Sequence, residues 1–398
     1  MPSPTQTNSQ THRRPPAAFN WLQPGIDSTH VADNTAESRL KTRNVSRLQS
    51  AWTFPTGAGI GWGVMVDGTA AYANSGDGNL YAIDVSSGSQ KWKFATDAYG
   101  ERGLTSAAVS GSLIYAGCNV AGNNQQQGLC AVKRGSGKLA WSWYDDCNCR
   151  PATFMITGPV VSGSTVVFGY YTGGAYGKDV LIALDATSGA ELWSAVAGDG
   201  NNSLADAIPA IDGGNVFAGT DYGLCSFQLS GGTPNWCSGP NDLGIAPAVE
   251  GGVVYASTIQ HGFYAFNETT GAQIWQYSPS SGNGSYWNPP AIAGGRAYFA
   301  TYDSGPIYVL DAASGAFDFT AGGGSFNTET LGSPSVANGV LYATCNLGLC
   351  VYNASTGALL ASMGGLGNGP PTISNGKVLF PCGLNRSAGV NDVCMYDP

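Results

Sequence analysis

The stretch that decides the fold is LYAIDVSSGSQKW, residues 80–92. It reads as a strand, a tight turn on Ser86-Ser87-Gly88, and a second strand ending on Trp92. The pattern recurs as LIALDATSGAELW at residues 181–193 and as FYAFNETTGAQIW at 263–275. Looser copies occupy 129–141, 224–236 and 307–319, and another begins at Leu349. Residues 393–397 repeat its first half only. Self-similarity at a period of roughly 40 residues marks a repeat architecture, in which units bury their apolar faces against one another.

Working outward from the hairpin, each unit has four apolar stretches. In the first unit they are 63–66, 70–74, 79–84 and 90–94. Asp67-Gly68 joins the first pair and Ser87-Gly88 the last, and short glycine turns of this kind are strong hairpin signals. The position of Asp84 recurs as Lys133, Asp185, Gln228, Asn267, Asp311, Asn353 and Asp397, which makes eight units. The eighth lacks its last strand, while a spare one, residues 49–54, stands at the other end with Trp52 where Trp92 stands in a complete unit. The expected fold is therefore all-β: an eight-bladed β-propeller of four-stranded antiparallel blades, the last blade closed by the N-terminal strand. Closure removes the open edges of the array. Residues 44–398 form the single propeller domain, and 1–43 a tail and lead-in. From residue 20 the lead-in is expected to lie extended over the fold, with one helical turn near 37–41.

Composition agrees with many short strands joined by glycine turns: 58 glycines, and only 11% charged residues. A net charge of -9 without a basic run argues against nucleic acid as a partner. No apolar run is long enough to span a membrane. Residues 1–16 lack an apolar segment and read as a tail, not a signal peptide. A monomer is expected.

A four-stranded meander places its first and third turns on one face, and its second and inter-blade connections on the other. The first and third turns are uniform in every unit. All the length variation falls in the other two classes, as at 119–128, 144–155, 197–205 and 276–286. Loops carry function while scaffolds stay regular, so the irregular face is the candidate binding surface. The strands nearest the axis begin with small residues and prolines, as in Ile208-Pro209-Ala210, Gly332-Ser333-Pro334 and Gly369-Pro370-Pro371. That composition lets eight blades crowd the axis and makes a poor active site by itself.

Cys118 and Cys130 flank the loop between strands two and three of their unit, and Cys345 with Cys350 and Cys382 with Cys394 stand at the same two positions in theirs. Read as facing residues of antiparallel pairs, they come within bonding range, so three disulfides are expected. Cys225 has Thr220 where its partner would stand and is paired instead with Cys237, across the Ser230-Gly231 turn. Cys147 and Cys149 remain, either side of Asn148 in a long inter-blade loop, where a bridge would stiffen the loop. Four structural bridges point to an oxidising compartment and hence to a secreted protein. A metal site is the rival reading of the cysteines. The three histidines, His12, His30 and His261, do not cluster with them.

At residues 80–92 and their copies the chain resembles the PQQ-type repeat propellers. These comprise quinoprotein dehydrogenases, polyvinyl-alcohol-dehydrogenase-like proteins and a cofactor-free scaffold of bacterial outer-membrane assembly. The resemblance implies PQQ and calcium, with no haem, since Cys-X-X-Cys-His is absent. It places Cys147 and Cys149 against the cofactor, although family members use adjacent cysteines and this pair is split by Asn148. Arg150, Trp287 and Asn288 join them as cofactor contacts. Asp206 and Asn288 are the metal candidates, and Asp206 and Glu101 the candidate catalytic carboxylates. The implied activity is binding, with oxidation, of a hydroxylated small or polymeric ligand. A non-enzymatic binding or scaffold propeller for a protein or glycan partner is the alternative, as is a cofactor-free enzyme in the same funnel. One fold hosts many functions, so the resemblance carries further for architecture than for activity.

Overall fold

The computed structural model describes residues 20–60, 63–99, 105–119, 127–144, 155–171, 178–198, 208–240, 246–258, 262–279, 289–301, 305–322, 332–364, 367, 369–385 and 390–398. Within them eight antiparallel sheets follow one another, each inner strand touching the next and the last touching the first. Blade one is Met65–Asp67, Ala70–Ser75, Asp77–Asp84 and Gln90–Tyr99, in spatial order from the axis outward. Blades two to seven repeat it. Blade eight takes Thr372–Ser374, Lys377–Asn385 and Val390–Asp397 from the end of the chain and Gln49–Phe54 from its beginning. Gln49 pairs with Asp397 and Phe54 with Val393, which closes the ring as the repeat count requires. Blade three carries a fifth, two-residue strand, Met155–Ile156, against Tyr171 and Tyr170.

The first three strands of a blade are sandwiched between neighbours. Ala70–Ser75 and Val340–Cys345 are buried at every residue, and they read for that reason as largely apolar runs, broken only by Asn74, Ser75 and Thr344. The fourth strand mixes buried and exposed positions, as in Gln273–Tyr277, because one of its faces meets water. The core therefore lies between blades. Phe263 of blade five, for example, stacks on Phe299 of blade six with ring centroids 4.2 Å apart.

A terminal tryptophan joins six of the eight units to the next, and blade six has Phe319 in its place. Trp92 packs on Gly137 in the following blade's last turn, and its Nε1 donates to the Arg134 carbonyl at 2.9 Å. Trp52 does the same across the closure, against Gly88 and the Val85 carbonyl. Gly88 has φ 70, and a Cβ there would sit 2.6 Å from Trp52 Cγ, so conformation and packing both require glycine. Asp84 sets the turn: its Oδ1 accepts the N–H groups of Ser86 and Ser87. Blade seven has Ala361 at the tryptophan position, paired with Val351. No such turn follows it, because the fourth strand of blade eight arrives from the other end of the chain. The 3-10 turn Val45–Arg47 packs beside Leu359–Met363 in its place.

That turn is the only helical element among the described residues, and it is not at 37–41. Glu37 explains the difference. Its Oε1 accepts from the N–H groups of Arg39 and Leu40, and its Oε2 from Gly376, so a side chain occupies the donors a helix would pair with carbonyls.

The four described disulfides are the expected ones: Cys118–Cys130, Cys225–Cys237, Cys345–Cys350 and Cys382–Cys394. Their geometry differs from the expectation in three. Cys118 faces Gly128 and Cys130 faces Ala116, so the bonded pair is diagonal, with Cα atoms 5.8 Å apart. Strand twist draws one diagonal of each antiparallel pair together, and the bridge uses that diagonal. Only Cys225 and Cys237 face each other directly.

Candidate functional site

Each blade presents its inner strand to the axis as an open edge. In an extended edge strand alternate residues turn both backbone groups outward, and buried groups of that kind need partners. Residues 21–34 supply them blade by blade. Trp21 exchanges both backbone bonds with Val66 of blade one, at 2.8 Å each. The Leu22 carbonyl accepts from Val109 N–H of blade two. The Gln23 side chain imitates a strand in blade three, its Oε1 accepting from Val161 N–H and its Nε2 donating to the Val161 carbonyl. Ser28, Thr29 and Val31 accept from Ile211, Val249 and Ile292 of blades four to six. Ala32 and Asn34 bond Val336 of blade seven, and Asn34 Nδ2 reaches the Ile373 carbonyl of blade eight at 2.7 Å. The lead-in thus runs once around the inside of the ring, at the level of the middle residue of every inner strand. Ile26, His30 and Ala32 take left-handed φ values of 81, 59 and 52 as the chain turns. The axis is closed from the side of the regular turns.

One rung nearer the loop face, the inward-turned position is Val64, Ala107, Pro159, Pro209, Pro247, Pro290, Pro334 and Pro371 in blades one to eight. Proline has no N–H, so six of the eight offer the axis a carbonyl and no donor. Two of these carbonyls are capped from the preceding blade: Ser335 Oγ donates to Pro371 at 2.7 Å and Thr372 Oγ1 to Val64 at 2.5 Å. His30 lies within reach of a third, that of Pro247, without the alignment of a hydrogen bond. The His30 ring is buried, and burial pushes its pKa down to about 4 against the opposing pull of Asp27 and the Pro247 carbonyl. It is therefore a neutral imidazole at pH 7. Ser106 and Ser333, each just before this rung, have buried hydroxyls without a hydrogen-bond partner.

The loop face is braced around this axis. Cys118–Cys130, Cys345–Cys350 and Cys382–Cys394 tie the two strands flanking the second connection of blades two, seven and eight. Asp77 braces blade one without a disulfide. Burial would raise its pKa, but hydrogen bonds from Tyr81, Gly57, Asn79 and Ser75 outweigh burial and hold it below the usual carboxylate range.

The residues that the sequence offered for cofactor, metal and catalysis, Glu101, Cys147, Cys149, Arg150, Asp206, Trp287 and Asn288, lie outside the described residues, as does His261. Most belong to the connections between consecutive blades. Among the described residues no group of three His, Cys, Asp or Glu side chains could hold a metal ion. The oxygens that line the described axis wall are backbone carbonyls, which accept hydrogen bonds. Sequence reasoning missed the lead-in's ring of bonds and His30. The available signal was the proline at one fixed position in six inner strands.

Comparison with known proteins agrees with this architecture. The family model described as outer membrane protein assembly factor BamB matches residues 43–277 and 237–380. Lupanine 17-hydroxylase [cytochrome c] of Pseudomonas sp is 24% identical over 332 residues, 75% of this chain and 46% of that protein. The BamB assembly factor of Yersinia pestis is 25% identical over 272 residues, 61% of this chain and 64% of that protein. The chain thus spans about half the length of the first relative and under two thirds of the second. The crystal structure of quinohemoprotein alcohol dehydrogenase from Comamonas testosteroni superposes with a TM-score of 0.77 at 15% identity, covering 96% of this chain and 81% of that one. With the eight closed blades, the repeated hairpin and a family match over most of its length, the chain belongs to the BamB-like family of PQQ-type repeat propellers.

Proposed function

We propose that the protein is a secreted, quinoprotein-like propeller that binds a hydroxylated small or polymeric ligand through its loop face. One observation carries the reading: residues 21–34 bond the inner strands of all eight blades, so the axis is stopped on one side and a ligand reaches it from the other. By strand order the irregular connections, with Glu101, Arg150, Asp206 and Trp287, belong to that other side. A blind funnel with variable walls suits capture of a small molecule or the end of a polymer. Four disulfides support an oxidising compartment.

Oxidation of the ligand rests on the inter-blade connections, where Asp206, Asn288 and Glu101 would meet calcium and the substrate, and Cys147, Cys149, Arg150 and Trp287 the quinone. PQQ would supply the hydride acceptor. Titration with PQQ and calcium, followed by absorbance and by melting temperature, tests this part. A saturable change in both supports the enzyme; silence in both leaves a binding propeller. The second reading, a scaffold for a protein partner, is favoured by the BamB-like match along the chain and by the Yersinia pestis relative.

A further inference from the structure

We infer that the funnel ends in a site for a primary ammonium group, held by the carbonyls of Ala107, Pro159 and Pro209 with the hydroxyl of Ser106. Equivalent positions around the ring differ in what they give to the inward carbonyls. In blades seven and eight the residue just before the middle of the inner strand is Ser335 or Thr372, and its hydroxyl caps the inward carbonyl of the next blade. The same position is Met65, Ala108, Val160, Ala210, Ala248 and Ala291 in blades one to six, and none of these side chains has a hydroxyl to give to the inward carbonyl of the next blade. Ser106 singles out Ala107, Pro159 and Pro209 among those carbonyls. The three carbonyls belong to consecutive blades, and two of them come from prolines that bring no N–H of their own.

Ser106 adds an independent observation. Its side chain is fully buried and its Oγ has no hydrogen-bond partner, and it lies against Gly158, the residue before Pro159, while being itself the residue before Ala107. A Cβ on Gly158 would fall 1.9 Å from that oxygen, so the glycine makes room for it. Below the site the lead-in seals the axis, so the ligand arrives from the loop face; the inference rests on that part of the proposed function. The inner strands carry no Lys or Arg, and the chain's net charge is -9.

An ammonium group carries three N–H donors and no acceptor, which matches three carbonyls and a hydroxyl oxygen. Rings of backbone carbonyls stabilise cations by replacing their hydration, and low local polarity strengthens each such bond. An anion or an acceptor-rich group meets only lone pairs here.

The probe is n-butylammonium chloride, titrated calorimetrically into the intact protein at pH 7, with tetramethylammonium chloride as a cation without N–H donors. Saturable binding of the first and none of the second is the expected result. Ala108→Ser and Val160→Thr copy Ser335 and Thr372, and by capping Pro159 and Pro209 each should weaken binding about tenfold or more. Both changes are small enough to keep the fold, and circular dichroism melting checks that they do. Ser335→Ala uncaps a carbonyl outside the site and should leave binding unchanged. Equal binding of the two cations, no binding of n-butylammonium, or affinities unmoved by Ala108→Ser and Val160→Thr would each overturn the inference. The quinone titration reads a different outcome, so either proposal can fail while the other stands.

Discussion

His30 shows how much one residue can report about the closed axis. Its pKa falls from 6.5 to about 4 in the fold, mainly through burial. For a base depressed in the folded state, stability is flat above pH 6.5 and declines below it, because only the unfolded chain takes up the proton. Between pH 7 and pH 5 the loss attributable to His30 is about 2 kcal/mol. Urea unfolding at the two pH values measures it, and His30→Asn, which tolerates φ 59, should remove it. The tryptophan–glycine pairs give a second test at this scale. Trp141→Phe loses the Nε1 bond to the Ala186 carbonyl and should cost about 1 kcal/mol plus lost packing. Gly189→Ala meets both a φ of 74 and the Trp141 ring 2.5 Å away, and should cost more, about 2 kcal/mol or above. Equal losses would mean that the ring relaxes away from the turn. The pairing of tryptophan and glycine was legible in the repeat because both positions recur in unit after unit. His30 was not, because nothing near it repeats.

Among the elements, the lead-in does work that its polar composition conceals. It contributes no strand to a blade, yet it satisfies inward backbone groups of all eight. Gln23→Leu removes both bonds to Val161 and leaves two buried backbone groups without partners, a loss of about 2 kcal/mol or more by urea denaturation. Replacing Gln23 with Glu is a sharper form of the test, since it keeps the shape and one acceptor but buries a charge. The disulfides act at the same scale. The Cys382–Cys394 bridge joins strands of the closing blade across a separation of 12 residues, and its removal by paired alanines should cost about 2–3 kcal/mol. Cysteine spacing revealed the pairings. It concealed that three of them bond along a diagonal, since the choice of diagonal follows from the twist of the strands in space.

For the whole molecule, closure is the decisive contact. The strand Gln49–Phe54 covers the edge of Val390–Asp397, and Trp52 docks on blade one. A chain beginning at residue 55 loses the lead-in and this strand together, exposing a paired-strand edge and the inner edges at once. Such a chain is expected to elute as aggregate in size-exclusion chromatography; a stable monomer would show that the ring tolerates an open blade. The sequence by itself determined the number of blades, the displaced last strand, the scaffold and loop faces and four disulfide partners. Each is written as a local pattern repeated at a fixed interval, and repetition survives without knowledge of distances. The tertiary structure alone decided that residues 21–34 bond the inner strands of all eight blades, that Ser335 and Thr372 cap the inward carbonyls of Pro371 and Val64, and that His30 stays uncharged at pH 7. These depend on backbone atoms of eight separate blades being brought together around one point, and backbone atoms are the same in every sequence.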